Sequence, residues 1–210
     1  MPILENAKDA PLSLLFVIIS LAISALLYIQ IIEPSHIYFD KKLIFEEHEY
    51  WRLFTSILSF GPFSSSMMIH FLLFADYLFT IEHSYFVNRP FDFLIFNLFG
   101  WTCLLIYAYF VPTLFLSNSY DVYITYYYSK RANDFHVGLF GLAAFVPYIP
   151  YLLLIFYWFQ DMKTLFFTAL IGYGSSHLYY FIKDVISLRY DITTLAVPDA
   201  LNNAFLRFLS

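Results

Sequence analysis

Hydrophobic and polar positions fall in long blocks along the chain rather than in short alternations. Residues 12–32 are the first apolar run, interrupted only by Ser13, Ser20, Ser24, Tyr28 and Gln30. At about 21 residues it is too long for the ~7–15-residue core of a cleaved signal and reads as a retained membrane span. Residues 33–49 are the most polar stretch, with Asp40, Lys41, Lys42, Glu46, Glu47 and His48, and they lead into Tyr50-Trp51-Arg52. After a turn at residues 60–63 the pattern predicts a second span over 64–81, containing His70 and Asp76, and a polar connection over 82–90. A third span follows over 91–110.

Pro112 breaks the apolar run, which resumes more weakly over 113–128. Ser117, Asp121, Thr125 and Tyr128 recur there at helical intervals and share one face of a fourth span. A charged loop over 129–136 precedes a fifth span over 137–159, where Pro147 and Pro150 predict a kink. The sixth span, 166–185, carries Gly172, Gly174, Ser175, Ser176 and His177 in its middle. Gly172 and Ser176 are four apart and admit a neighbouring backbone closely, so this helix is expected at the centre of a bundle. Ser175, Ser176 and His177 either pack there or also face a polar cavity. After residue 187 the helical spacing of Leu201, Ala204, Phe205, Phe208 and Leu209 predicts a short helix lying on the membrane.

Composition agrees with this reading: hydrophobic residues make up 60% of the 210 positions and charged residues only 13%. Soluble domains carry about 25% charged residues, so the chain is read as an all-α, polytopic membrane protein with no sizeable soluble domain. It divides into a lead over 1–11, a six-span domain over 12–186 and a tail over 187–210. The net charge of −5 and the lack of a basic block exclude a nucleic-acid partner. The single Cys103 forms no internal disulfide, and the histidines lack metal-ligand spacing, so neither a metal nor a cofactor is expected. With both termini in the cytosol, seven of the eleven Lys and Arg residues lie inside and four outside, which favours that orientation.

Asp121 lies about ten residues into a run beginning near residue 111, at the depth that Ser175, Ser176 and His177 reach in the sixth span. An acid at mid-membrane costs about 2.5–3.5 kcal/mol on insertion scales and needs a compensating environment. Asp121, Ser117 and Thr125 are therefore expected to face Ser175, Ser176 and His177 across one polar cavity. The alternative is a fourth span that starts later and leaves Asp121 among the headgroups. Trp51 and Arg52 suit a loop at the bilayer surface, since tryptophan prefers the headgroup level and arginine reaches for phosphates.

Several blocks together resemble the derlins. They are Trp51-Arg52-Leu53-Phe54-Thr55, Phe60-Gly61-Pro62, Glu82 with Phe86, Asp92-Phe93, Leu98-Phe99-Gly100 and Tyr128-Ser129-Lys130-Arg131. Phe140-Gly141-Leu142, Pro147-Tyr148-Ile149-Pro150, and Gly172 through His177 with Tyr179-Tyr180-Phe181 complete the series. The resemblance implies a rhomboid-like fold in the endoplasmic reticulum membrane and a part in returning misfolded proteins to the cytosol for degradation. It implies misfolded proteins and a membrane ubiquitin ligase complex as partners. It also makes Trp51 and Arg52 the loop that disturbs the bilayer and engages substrate.

A rhomboid protease needs a Gly-x-Ser-Gly nucleophile at the start of the fourth span and a histidine base on the sixth. No glycine lies between Gly100 and Gly138, so that motif is absent and a pseudoprotease is expected. No glycine follows Gly174, where several derlins carry a glycine-containing motif for an AAA ATPase, so that partner is expected to be recruited indirectly. From a different class, a small transporter or channel would use the polar residues of spans four and six as its path; it would be expected to show an internal repeat, and none is evident.

Overall fold

The computed structural model describes residues 10–132, 136–139, 142–159, 163–190 and 195–203. Most of these are helical. Helix α1 (Pro11–Tyr28) opens with proline in its first turn and turns one stripe inward, from Ser13, Phe16 and Val17 to Ser20, Ser24 and Leu27. The 33–51 segment contains a 3₁₀ turn (Pro34–His36) and the short α2 (Lys41–Phe45), capped by Asp40 through the amides of Lys42 and Leu43. Helix α3 (Arg52–Leu58) leads to Gly61, whose φ of 87° lies in the left-handed region that glycine adopts freely. Helix α4 (Ser65–Thr80) is capped by the Ser64 hydroxyl and continues as a π-helical turn over Ile81–Tyr85. Helix α5 (Pro90–Phe110) ends just before Pro112.

Helix α6 (Ser117–Arg131) is the centre of the bundle. Its residues from Ser119 to Tyr127 are buried without interruption, although the helix is rich in tyrosine and hydroxyl groups rather than aliphatic side chains. Aromatic rings close the space around it. Tyr123 and Tyr127 lie 4.8 and 4.5 Å from Phe96, Tyr120 lies 5.3 Å from Phe74, and Tyr128 stacks on Tyr77 at 4.4 Å. Two of the buried phenols are held by hydrogen bonds, Tyr120 donating to Asn97 Oδ1 at 2.5 Å and Tyr123 to the Phe96 carbonyl at 2.7 Å, whereas those of Tyr77 and Tyr127 have no such partner.

A hairpin of β1 (His136–Leu139) and β2 (Leu142–Phe145) follows, paired antiparallel from His136 with Phe145 to Leu139 with Leu142. A 3₁₀ turn (Val146–Tyr148) leads into α7 (Ile149–Phe159). Helix α8 (Lys163–Tyr180) continues through a π-helical segment (Phe181–Ile186) into α9 (Ser187–Tyr190), and a last helical turn covers residues 199–203.

Three expectations change. The helix read as the fifth span begins not at 137 but at Ile149, because residues 142–145 before it are strand; a short apolar run between turn signals does not reveal by periodicity which structure it takes. Pro147 and Pro150 consequently sit at the entry to α7, where proline lacks no needed donor, rather than at a kink within a span. The helix read as the sixth span lies beside the centre, since Phe167, Leu170, His177 and Leu178 on α8 are exposed whereas α6 is enclosed. The lead at 1–9 and the tail residues 204–210, with Ala204, Phe205, Phe208 and Leu209, lie outside the described residues. By length and composition, α1 and α5 are each able to cross a membrane.

Candidate functional site

Arg52 and Trp51 have different tasks at the loop end of the bundle. Arg52 is only 3% exposed. Its Nε meets Glu49 at 2.5 Å and its Nη1 donates to the carbonyls of Ser35 at 2.8 Å and Tyr38 at 3.1 Å, with the guanidinium over the Tyr38 ring. The five-donor fork of arginine suits this binding of three chain segments. Arg52 thus faces inward and staples the 35–52 loop, instead of reaching for headgroups. Trp51 is 53% exposed, steadied by its Nε1 donating to the His36 carbonyl at 3.2 Å, and it shares the outer surface with Tyr50 and Phe54. Behind this loop a cavity of about 430 Å³ opens between residues 38–42 and 108–114, with Lys41 over the Tyr109 ring.

The polar residues of α6 divide between two faces. On one, Gly172 of α8 lies so close to the Ser119 carbonyl that a Cβ there would collide with it, and Ser176 donates to the Tyr123 carbonyl at 2.7 Å. Tyr126 and His177 share a hydrogen bond of 2.5 Å on the same side, while Ser175 donates to the Gly172 carbonyl of its own helix. The other face meets α4. There Asp121 Oδ2 lies 4.0 Å from His70 Nδ1, and Thr125 donates to Asp121 Oδ1 at 3.5 Å. Ser117 is buried one turn before Asp121.

The single cavity expected from Ser117, Asp121, Thr125, Ser175, Ser176 and His177 is therefore two separate contacts. Depth does agree, because pairing Ser119 with Gly172 and Tyr123 with Ser176 sets Asp121 level with the residues between them. The face differs. A helix turns about 100° per residue, so Asp121 stands about 160° around from Ser119 and cannot address the same neighbour. The four-residue rhythm identifies one face of a helix without naming what covers it.

The end of the bundle opposite the Trp51 loop holds a set of charged residues that sequence reading did not single out as a site. Asp92 is buried between Arg89 Nε at 3.2 Å and Lys183 Nζ at 3.8 Å, and it accepts the Val197 amide at 2.7 Å. Asn202 accepts the Phe91 amide at 3.0 Å and so caps α5 from the tail, and Arg89 also reaches Asp199 at 3.0 Å. Arg131 pairs with Asp184 and lies over the rings of Tyr85 and Tyr127. Glu82 caps α1 in the same remote manner, accepting the amides of Leu12 at 3.1 Å and Ser13 at 2.6 Å. Burial pushes its carboxyl above the ordinary value, while those hydrogen bonds from Ser13 and Leu12 pull the other way. The sequence signal was an acid in the first turn of α5 and two basic residues in the last turn of α6. Among the described residues no group of three or more His, Cys, Asp or Glu is arranged to hold a metal ion.

A model of the Der1-like family matches residues 11–198, which takes in α1, the Trp51–Arg52 loop, both faces of α6 and the charged end. The chain belongs to this family, the derlins. It is 30% identical over 189 residues to a protein of Dictyostelium discoideum named as a probable derlin-2 homolog, a match covering 86% of this chain and 73% of that protein. It is 33% identical over 169 residues to Derlin-2.2 of Zea mays, covering 75% of the chain and 67% of the relative. Derlin-2.2 of Arabidopsis thaliana is 29% identical over 189 residues, with 84% and 77% covered. The resemblance read from the blocks around Trp51, Glu82, Asp92 and Gly172 is thus a family membership that spans nearly all the described structure.

Proposed function

We propose that this derlin is a non-catalytic, rhomboid-like factor of degradation at the endoplasmic reticulum, which binds misfolded proteins and assists their passage through the membrane to the cytosol. The observation that carries the reading is the Der1-like match across residues 11–198. In this reading six spans cross the bilayer with both termini in the cytosol, so the Trp51 loop meets the lumenal leaflet and the Asp92–Arg131–Asp184 end faces the cytosol. The exposed Trp51, Tyr50 and Phe54, held out on an Arg52-stapled loop, supply the membrane- and substrate-engaging surface. Helix α6 supports local thinning: its 15 residues rise only about 22 Å, against the ~30 Å of a hydrocarbon core.

The hydrogen bond between His177 and Tyr126 favours a structural rather than a basic role for that histidine, in keeping with a pseudoprotease. The separation of Asp121 from His177 onto different faces of α6 speaks against the continuous polar path of a small transporter. The partners in this reading are a membrane ubiquitin ligase complex and, through it, an AAA ATPase. Crosslinking the full chain in isolated membranes and identifying what it retains tests the proposal. Ubiquitin-ligase components should be recovered with it. Their absence, together with unchanged turnover of misfolded reporters when the chain is removed, would overturn the reading.

A further inference from the structure

The cavity behind the 35–52 loop lies where α5 ends. That helix, Pro90–Phe110, is long and apolar enough to cross a membrane, and its 21 residues rise about 31 Å against the ~30 Å of a hydrocarbon core. Phe110 therefore marks the level at which hydrocarbon gives way to headgroups. The opening of about 430 Å³ sits at that level, between residues 38–42 and 108–114, and its size is ordinary for a small-molecule site. Its two walls are tied together by the Phe39 amide, which donates to the Leu114 carbonyl at 2.8 Å. Arg52 holds the Tyr38 carbonyl at 3.1 Å and steadies the loop wall.

One edge of the opening is cationic. Lys41 and Lys42 line it, with the Lys41 ammonium held 5.7 Å over the Tyr109 ring, which Phe45 meets edge-on at 6.2 Å. Among the described residues neither lysine has a carboxylate partner, since the ion pairs gather around Glu49, Asp92, Asp121, Asp184 and Asp199. Asp40 beside them accepts the amides of Lys42 and Leu43 at 2.8 and 3.3 Å, so its charge is directed to the start of α2. The other edge is apolar. Phe110 and Leu114 are 77% and 58% exposed, and Phe110 ends an exposed four-residue stripe that runs up α5 from Leu98 through Thr102 and Ile106. The Thr102 hydroxyl is spent on the Leu98 carbonyl, which leaves the stripe suited to hydrocarbon. A ligand that fits both edges carries an anion at one end and an acyl chain at the other, and it enters from the bilayer.

We propose that this opening binds an anionic glycerophospholipid. The phosphate sits between the ammonium groups of Lys41 and Lys42, each acting on it as a point charge, and an acyl chain follows Phe110 and Ile106 along α5. A choline headgroup brings a cation of its own to the two lysines and is disfavoured. Because Tyr38 belongs both to the cavity wall and to the Arg52 staple, the bound lipid ties the 35–52 loop to the bilayer. The inference stands apart from the degradation role.

The test uses the full chain in phosphatidylcholine nanodiscs with a photocrosslinking side chain in place of Leu114, and lipid adducts are read by mass spectrometry. The probe is phosphatidylglycerol, mixed with phosphatidylcholine of the same acyl chains. Per molecule present, phosphatidylglycerol should label about fivefold more, the scale of one lysine beside an anionic lipid. Lys41→Gln with Lys42→Gln should abolish the preference while leaving the unfolding midpoint unchanged, and Lys41→Arg with Lys42→Arg should keep it. The same crosslinker in place of Phe54, exposed at the same end of the bundle, should show no preference. Equal labelling by the two lipids, a preference that survives the glutamine variant, or an equal preference at position 54 would overturn the inference, the last by reducing it to diffuse attraction at the surface. Water-soluble glycerol phosphate should not compete; if it displaced the lipid at matched concentration, the site would be one for free phosphate esters and the lipid would be the wrong ligand.

Discussion

The two faces of α6 differ in what they meet: backbone-close packing and interhelical hydrogen bonds toward α8, a carboxylate and a part-exposed histidine toward α4. Toward α8 Ser176 binds the Tyr123 carbonyl, Tyr126 binds His177, and Gly172 lets the backbones meet at Ser119, while the Ser119 hydroxyl and the facing phenols of Tyr127 and Tyr179 are buried without a hydrogen-bond partner. Toward α4 the carboxylate of Asp121 has a threonine and a part-exposed histidine, and Tyr77 has no hydrogen-bond partner. A matched face gives rigidity, since leaving any of its members unpaired costs the desolvation of the group left behind. The same helix is thereby packed backbone to backbone on one side and through a charged side chain on the other.

The difference can be broken most severely at Gly172. Gly172→Leu drives a branched side chain into the Ser119 backbone, which cannot swing away as a side chain can. The loss of stability should be about 3 kcal/mol, the top of the usual overpacking range, read as a lowered unfolding midpoint in detergent or as lost abundance. Gly172→Ala already meets the carbonyl and should show a smaller loss in the same assay. Arg52→Ala comes next. It leaves Glu49 and two carbonyls without their donor, so the 35–52 loop should become accessible to protease at a cost of about 1–3 kcal/mol, whereas the exposed Trp51→Ala should leave stability unchanged.

Ser176→Ala sharpens the comparison by a smaller step, because a single interhelical hydrogen bond in a membrane contributes about 0.6 kcal/mol. Asp121→Asn should cost nothing measurable or stabilise, since it removes a charge whose surroundings do not match it. A loss as large as that of Gly172→Leu would mean the α4 face is as well satisfied as the other. Orientation is read separately: a glycosylation sequon introduced beside Asp40 should be modified and one beside Asp134 should not, and the reverse pattern would invert the membrane topology.

Much of the helical framework was legible because apolar runs bounded by polar clusters have few interpretations. Residues 64–81 and 91–110 became α4 and α5 within one or two positions, with Pro112 as the visible stop. The run before Ile149 was not legible, since its glycines and short apolar stretches fit a hairpin as well as a helix. For the site, the closeness tolerated at Gly172 could be read from residue size alone. The partner of Asp121 could not, because three tyrosines of α6 compete for α8 and nothing local decides the rotation of the helix. The cap that Asn202 provides to Phe91 joins residues 111 positions apart, a distance at which sequence pattern carries no information.

The central claim is the rotation of α6, and paired cysteines measure it directly. In a Cys103→Ser background, which removes the single native cysteine, His70→Cys with Asp121→Cys is compared with Asp121→Cys with His177→Cys, both treated in membranes with a short thiol crosslinker. The account predicts efficient crosslinking of the first pair and background for the second. Crosslinking of 121 to 177 with none between 70 and 121 would contradict it, and would restore a single polar cavity between α6 and α8.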